Sequence, residues 1–487
     1  MSKGRGKSSG TEVEYGSVRA LWEIIERTRL IEILNNAAPK RNGIPVGELT
    51  VLMAINRCLD PQAKWTIPEW YERTYLPELL GIDLPASSGY QTLTRCLDYL
   101  TDPVQADVEM ALCGRVMEAY HLKPRMFLYD LTSTFVEGEG AAPILQYGYS
   151  RDHRPDRKQV NYALCVTAPE GVPMFHEAFP GNQVDSKTVK ETMERFQDRH
   201  GLDGCLVVDR GIVTYKNVEE IVDVRGLDLV GGMRMNNGLA RRVRAVPLDD
   251  YDEPFKRGKE VLQAYELPLT IRKVERRCIL YYSAEKAGRD YKTRMAHLVK
   301  VEAGIKKLAE SLRRSGRGRR PTPAGIAGKI DRLLEEKKCQ GLITWRFVGG
   351  RGGRRLKWER DEAAIRDREL MDGKYVLITT LDLSPKEILE TYRGRDTVER
   401  AFRITKQSIR IRPIWNRKEQ HIRAHLFICF LAYLLMSLLK LDLKEVEVDL
   451  TPVKALKRMG YVTEWVPRTI QAEGGQDVLG RLMQKRR

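Results

Sequence analysis

The sequence predicts an α/β protein in several parts: a helical N-terminal domain, an α/β domain written in two pieces, and a largely β domain inserted between the pieces. Three textures predict this. Residues from about 12 to 120 carry helical apolar spacing, and short apolar runs alternate with helical stretches from Pro124 to Met233. β-like and basic segments then separate that region from a second helical stretch starting at Pro385. A chain of 487 residues also exceeds the usual size of one compact domain.

In the N-terminal region Leu21, Ile24, Ile25, Leu30, Ile31 and Leu34 recur at helical spacing, and a second helix is expected near 46–56. Ser87-Ser88-Gly89-Tyr90 reads as the capped start of a helix over 91–100. Such a unit can read DNA through a helix-turn-helix or serve as a structural bundle, and both readings stay open. Next, Met126-Phe127-Leu128-Tyr129 is a compact apolar run ending in Asp130, and β-like runs at 159–167 and 172–179 flank the turn Pro169-Glu170-Gly171. A helix is expected over 185–200 with Asp185 or Ser186 as its cap. The strand Cys205-Leu206-Val207-Val208 then ends in Asp209, followed by a helix over 215–224 and a strand over 227–233. This order fits a ribonuclease-H-like α/β unit with acidic residues at the carboxyl ends of two strands, where open α/β sheets place their sites.

The stretch 234–382 mixes β-like runs at 269–274, 277–283, 341–348 and 374–380 with a helical, basic section over 299–338. It also holds two arginine- and glycine-rich runs, 313–320 and 349–357. The boundaries are read as a disordered basic tail (1–12), a helical N-terminal domain (13–122), the first part of the α/β domain (123–233), a β-rich insertion domain (234–382), the second part of the α/β domain (383–445) and a basic C-terminal region (446–487).

The formal net charge is +17, from 83 Lys plus Arg against 66 Asp plus Glu, which favours a polyanionic partner through counterion release. The eight cysteines form no C-x-x-C pair, so they read as small buried apolar residues of a reducing compartment. The N-terminal residues are polar and basic, and the apolar run 426–439 is too short to span a bilayer, so a cytoplasmic protein without membrane attachment is expected. Gly6-Lys7-Ser8 imitates the end of a phosphate loop, but no strand can precede it.

The chemistry is read from carboxylates. Two-metal phosphodiester cleavage needs several of them converging on one point, and Mg²⁺ takes few carboxylates together with water and phosphate oxygens. Asp130 and Asp209 each end an apolar strand, a rigid place for a ligand, although a lone strand-end aspartate is more often a turn residue. The segment 390–406 is more informative. At about 100° per residue, Tyr392, Arg395, Glu399 and Lys406 fall on one face of a helix. Intrahelical ion pairing explains Arg395 and Glu399, but not the aligned Tyr392 and Lys406. A carboxylate holding metal, with Tyr392, Arg395 and Lys406 gripping the adjacent phosphate, accounts for all four.

The pattern Y-x2-R-x3-E-x6-K, met by Tyr392, Arg395, Glu399 and Lys406, resembles that of bacterial insertion-sequence DDE transposases of family four. The stretch Tyr147-Gly148-Tyr149-Ser150-Arg151-Asp152-His153-Arg154-Pro155-Asp156 resembles the sixteen-thirty-four branch of that group, as does Pro180-Gly181-Asn182 followed by Asp185-Ser186. Asp130 in Tyr129-Asp130-Leu131-Thr132 and Asp209 in Val208-Asp209-Arg210-Gly211 match the family's first and second aspartates. The resemblance implies catalytic, metal-holding Asp130, Asp209 and Glu399, two Mg²⁺ ions with Mn²⁺ as a substitute, and a β-rich insertion domain between Asp209 and Glu399. It further implies nicking at an element end and attack by the freed 3′-hydroxyl, on the complementary strand or on target DNA. Double-stranded DNA with terminal inverted repeats, target DNA and a homodimer bridging two element ends are the partners expected.

Further DNA-contact candidates are His153 and Arg154, in a basic loop between strands, and Trp345 beside Arg346, an aromatic that can stack on an unpaired base. For each, a bland reading stands beside it: a solvated turn for the loop, a core residue for Trp345. His421 and His425 lie one helical turn apart, but without a third ligand nearby they read as helix packing or phosphate contact rather than zinc. Two other functions fit the residues: a structure-selective endonuclease of ribonuclease-H-like fold, and a DNA-binding protein derived from a transposase that no longer cuts.

Overall fold

In the computed structural model, residues 11–138, 140–313, 322–349 and 355–466 are described. The chain forms two compact units, one of Met1–Gly231 with Leu389–Arg487 and one of Gly232–Ile388. The expected basic runs 313–320 and 349–357 lie wholly or largely outside the described residues, as do most of the N-terminal tail and the stretch from 467 onward.

The first unit is built on a sheet whose strands, among the described residues, run in the order Pro173–Pro180, Gln159–Thr167, Met126–Phe135, Cys205–Val208 and Asp228–Gly232. The first three are antiparallel neighbours, while Cys205–Val208 is parallel to the strands on either side of it. Three antiparallel strands continued by two parallel ones fit the expected ribonuclease-H-like unit. Every residue of Gln159–Thr167 is buried, which explains why that strand reads as a continuous run rather than an alternation.

Helices Gly16–Thr28, Leu30–Ala37, Val46–Leu59, Gly89–Tyr99 and Asp102–Ala119 make up most of the N-terminal region. All but Leu30–Ala37, which packs on Val46–Leu59 and Asp102–Ala119, pack around Glu419–Glu445, which also covers the edge strand Pro173–Pro180. That 27-residue helix is apolar on all sides and, by length and composition alone, long enough to cross a membrane. Its most apolar window is 89% buried inside the protein, so its hydrophobicity is used by the core. Glu109 fastens the helices to the sheet. Its fully buried carboxylate accepts the backbone N–H of His176 at 3.0 Å, contacts the His176 ring, and lies 3.8 Å from Arg195.

Several local expectations are corrected. Residues 185–200 are not one capped α-helix. A 3₁₀ turn at Asp185–Lys187 leads into Val189–Met193 and then a π-helical stretch, and neither Asp185 nor Ser88 makes a side-chain cap bond. The Asp185 carboxylate is instead taken by Arg151 at 2.6 Å. Thr11 and Glu12, assigned to a disordered tail, belong to the strand Thr11–Glu14, which pairs with Thr463–Val466.

The second unit, compared with the expected 234–382, is not largely β. A 30-residue helix, Ala284–Arg313, and a 14-residue helix, Pro323–Glu336, carry its hydrophobic core through Leu298, Val301, Ile305, Ile326, Ile330 and Leu334. The strands are short. The run expected at 269–274 is in fact a hairpin, Leu269–Ile271 and Val274–Arg276, turned by Arg272 and Lys273 at positive φ. Strand-length apolar runs flanked by turn residues drew the β reading, while the low hydrophobicity of the long helix concealed its extent. The unit's sheet runs Lys374–Thr379, Cys278–Ser283, Glu260–Glu266, Phe255–Arg257, and Ile343–Val348 pairs separately with Arg355–Arg360.

Removing Glu109 strands a buried backbone donor and leaves Arg195 without one of its carboxylates. Glu109→Ala is expected to cost about 3 kcal/mol in urea denaturation, and a loss within error of zero would show that the helices dock by apolar packing alone.

Candidate active site

The two aspartates are brought together by strand pairing. In the parallel pair Met126–Phe135 and Cys205–Val208, Tyr129 is registered against Val208, so the residues that follow, Asp130 and Asp209, are set side by side. Asp209 directly follows the end of its strand as expected, but Asp130 does not end its own: Leu131–Phe135 go on pairing with the neighbouring antiparallel strand, which places Asp130 mid-strand opposite Leu164. Asp130 accepts the N–H of Leu131 at 2.8 Å. Burial pushes its carboxyl up to about 7, the Leu131 N–H opposes this, and neighbouring Asp209 adds to the rise.

Asp209 meets the returning part of the chain. Arg395 donates to its carboxylate at 2.5 Å and to the Tyr392 hydroxyl at 2.7 Å, and the guanidinium lies 4.7 Å from the Tyr392 ring centroid. The Tyr392 hydroxyl is itself 3.5 Å from the same Asp209 oxygen. Burial pushes the Tyr392 phenol up to about 12, with Arg395 opposing. Glu399 is half-exposed and lies 3.6 Å from the other Arg395 terminal nitrogen. One guanidinium thus bridges Asp209 and Glu399.

Among the described residues, no three His, Cys, Asp or Glu side chains form a ready-made metal cluster. The donor set nevertheless suits a hard divalent cation. Two carboxylates stand side by side on neighbouring strands, one within its strand and one just past the end of its own, their crowding contributes to the raised Asp130 pKa, and Arg395 is the counter-charge that a metal would relieve.

The single helical face expected for Tyr392, Arg395, Glu399 and Lys406 is interrupted. Helix Pro385–Arg393 ends, Gly394 and Arg395 form a turn, and a new helix runs Asp396–Gln407. Tyr392, Arg395 and Glu399 remain grouped, but Lys406 faces a different partner. Its ammonium donates to Asp152 at 2.7 Å, Arg412 contacts the same oxygen, and the Asp152 side chain is 2% exposed. Burial lowers the Lys406 pKa, with Asp152 opposing. Asp152 was missed by sequence reasoning. The signal available was a lone acid inside the basic stretch 147–154. The strap that carries it is held by the Arg151–Asp185 pair and by the Arg151 N–H on the Ser133 hydroxyl at 2.8 Å.

The remaining candidates are placed as follows. His153 is exposed, at positive φ. Arg154 makes a two-point contact with Asp156 at 2.9 Å and sits over the Phe135 ring, so contact with DNA would require it to exchange partners. Trp345 belongs to the second unit, where it is registered against Trp358, packs on the hydrophobic core and lines a cavity of about 640 Å³ with Arg346 and Lys357. His421 contacts Asp98 at 2.8 Å and His425 the carbonyl of Ile411 at 2.9 Å, so both serve helix packing.

Residues 128–435 match the family model described as a transposase DDE domain, a span that includes Asp130, Asp209, Glu399 and Lys406. No curated protein matches the chain. The cryo-EM structure of a piggyBac transposase synaptic complex with hairpin DNA aligns over 92% of this chain and 80% of that one, at 9% identity and a TM-score of 0.42. At that score the likeness carries no argument.

Two outcomes follow from this geometry. The folded-state pKa of Asp130 lies above its unfolded value of about 3.9, so the folded protein holds that proton more tightly. Stability is therefore fully present below about pH 4 and falls as pH rises through about 7. In EDTA, Asp130→Asn is expected to melt above wild type at pH 8, with the difference shrinking steadily as pH is lowered toward 4; an equal difference at every pH would mean that ionised Asp130 costs nothing. Asp152→Asn is expected to reduce DNA-strand cleavage by about 10- to 100-fold through misplacement of Lys406. An unchanged rate would reduce the Asp152–Lys406 contact to packing.

Proposed function

The chain belongs to the transposase DDE-domain family, and from that premise we propose that it cuts and joins DNA at the inverted-repeat ends of an insertion sequence, as a member of the Y-R-E-K type in family four and its sixteen-thirty-four branch. The observation that carries the reading is the side-by-side placement of Asp130 and Asp209 on adjoining parallel strands, with Arg395 linking Asp209 to Glu399. Asp130, Asp209 and Glu399 would hold two Mg²⁺ ions, or Mn²⁺ in their place. Such ions, when bound, lower the pKa of attacking water and stabilise the leaving oxygen.

The chain's own residues supply the geometry. The sheet holds the backbone of Asp130 within its strand and places Asp209 directly after the last paired residue of the next. Arg395, displaced from the carboxylates, is free to turn its planar fork to a phosphate of the attacked strand. Tyr392 supports that guanidinium through its ring and hydroxyl. Lys406, held by Asp152 and flanked by Arg412, keeps positive charge beside the same helix. In the first step water attacks phosphorus and the bond to the 3′ oxygen breaks, leaving a 3′-hydroxyl. In the second, that hydroxyl attacks a phosphodiester of the complementary strand or of target DNA and displaces its 3′ oxygen.

An element has two ends, so a homodimer bridging them in the bacterial cytoplasm, nucleoid-associated when bound to DNA, is part of the proposal. Trp345 and the loop bearing His153 and Arg154 are additional DNA contacts in this reading.

The test is a time course on synthetic element ends in Mg²⁺. Asp130→Ala, Asp209→Ala and Glu399→Ala are each expected to bring cleavage to background while leaving repeat binding near wild type. Arg395→Lys keeps the charge but loses the fork, and is expected to slow strand processing by on the order of 10²-fold. Wild-type cleavage by any alanine variant would remove that residue from the site. Cutting of branched DNA irrespective of terminal repeats would replace the transposase reading with a structure-selective nuclease.

A further inference from the structure

Within the first unit, the loop after helix Val46–Leu59 meets the loop after helix Asp396–Gln407. Lys64 donates to the side-chain oxygen of Asn416 at 3.4 Å, and Arg57 donates to the carbonyl of Arg410 at 3.4 Å. The chain neighbours of this contact are Trp65, next to Lys64 and 68% exposed, and Trp415, next to Asn416 and 70% exposed. Tryptophans of that exposure are unusual, because each leaves a large apolar face in water.

The charge around them is one-sided. Arg57 and Lys64 are both half-buried, and Arg57 lies close enough for its charge to act on Lys64. Burial, followed by the charge of Arg57, brings Lys64 down to about 8. Beneath them the floor is neutral. His425 is held uncharged by burial and by these two cations, and burial pushes the Cys429 thiol up to about 11. Arg57 gains something from the carboxyl end of its helix, but the partners of both cations are neutral oxygens rather than carboxylates. Two half-buried cations on a neutral floor are an arrangement that an external anion stabilises.

A polyanion carrying flat apolar rings satisfies both halves of the surface. In a duplex the faces of the bases are stacked upon each other, whereas in an unpaired strand they are available to aromatic side chains. We infer that Trp65 and Trp415, with Arg57, Lys64 and Arg410, form a binding surface for a single DNA strand, the tryptophans stacking on unpaired bases and the cations holding the intervening phosphates. As a source of such strands this rests on the proposed cutting of DNA ends, but the surface itself uses none of the carboxylates.

The experiment follows tryptophan emission of the full-length protein, and separately anisotropy of a labelled oligothymidylate, across a salt series. The oligothymidylate is expected to quench emission and to bind more tightly than a duplex of equal length. Trp65→Ala and Trp415→Ala are each expected to weaken that binding by on the order of 10-fold. Lys64→Gln is expected to flatten the slope of log affinity against log salt by about 0.7, one phosphate's worth for a single strand. Asp130→Asn should bind the strand as wild type does, so loss of cleavage chemistry and loss of this surface are read independently. Wild-type affinity in both tryptophan variants, an unchanged salt slope for Lys64→Gln, or equal weakening for duplex and single strand would each overturn the inference. Because both tryptophans are exposed and Lys64→Gln leaves them in place, a folding defect in one variant does not decide the outcome.

Discussion

The parallel pairing of Met126–Phe135 with Cys205–Val208 is the constraint on which the site depends. It sets two carboxylates beside each other, Asp130 within one strand and Asp209 just past the end of the next, so that each lies in the other's field. Everything nearby answers that repulsion. Arg395 reaches back to Asp209, Tyr392 holds Arg395 from the side, and Glu399 is drawn to the same guanidinium. The site is therefore organised by an electrostatic demand that the fold creates and a cation must meet.

The helical part of the first unit serves that constraint indirectly. The edge strand Pro173–Pro180 is covered by Asp102–Ala119 and Glu419–Glu445, and Glu109 fixes the cover by hydrogen bonds to His176. With one edge sealed and Gln159–Thr167 buried throughout, the sheet is rigid where it must hold the aspartates in register.

Much of this was legible in the sequence, for identifiable reasons. Asp209 could be placed at a strand end because Cys205–Val208 is a compact apolar run with an abrupt polar terminus, whereas the strand bearing Asp130 runs on through the mixed segment Leu131–Phe135, whose further pairing with Gln159–Ala163 no local pattern announces. Tyr392, Arg395 and Glu399 could be grouped because three- and four-residue spacings bring side chains near each other even across the turn at Gly394. Lys406 could not be separated from them, since helical periodicity assumes an unbroken axis and its partner Asp152 is remote in sequence. The long helix Ala284–Arg313 was underestimated because it is mostly solvated and buries only a narrow stripe. The surface at Trp65 and Trp415 was invisible for another reason: it exists only where two loops far apart in the chain are brought into contact.

The first unit is discontinuous, its sheet drawn from residues before Gly231 and its glutamate helix and central apolar helix from residues after Leu389. On a ribosome, which adds residues at roughly 5–20 per second, the strands bearing Asp130 and Asp209 emerge well before Glu399 does. During that interval the helices that will surround Glu419–Glu445 lack the element they pack around, and the whole second unit is synthesised in between. Closing so long a loop is entropically modest but kinetically slow. A chain that has emerged only through the second unit therefore carries the two aspartates without Glu399 and with an incomplete core. The segment that brings Glu399 to Asp209 thus also brings the helix that the N-terminal helices pack around.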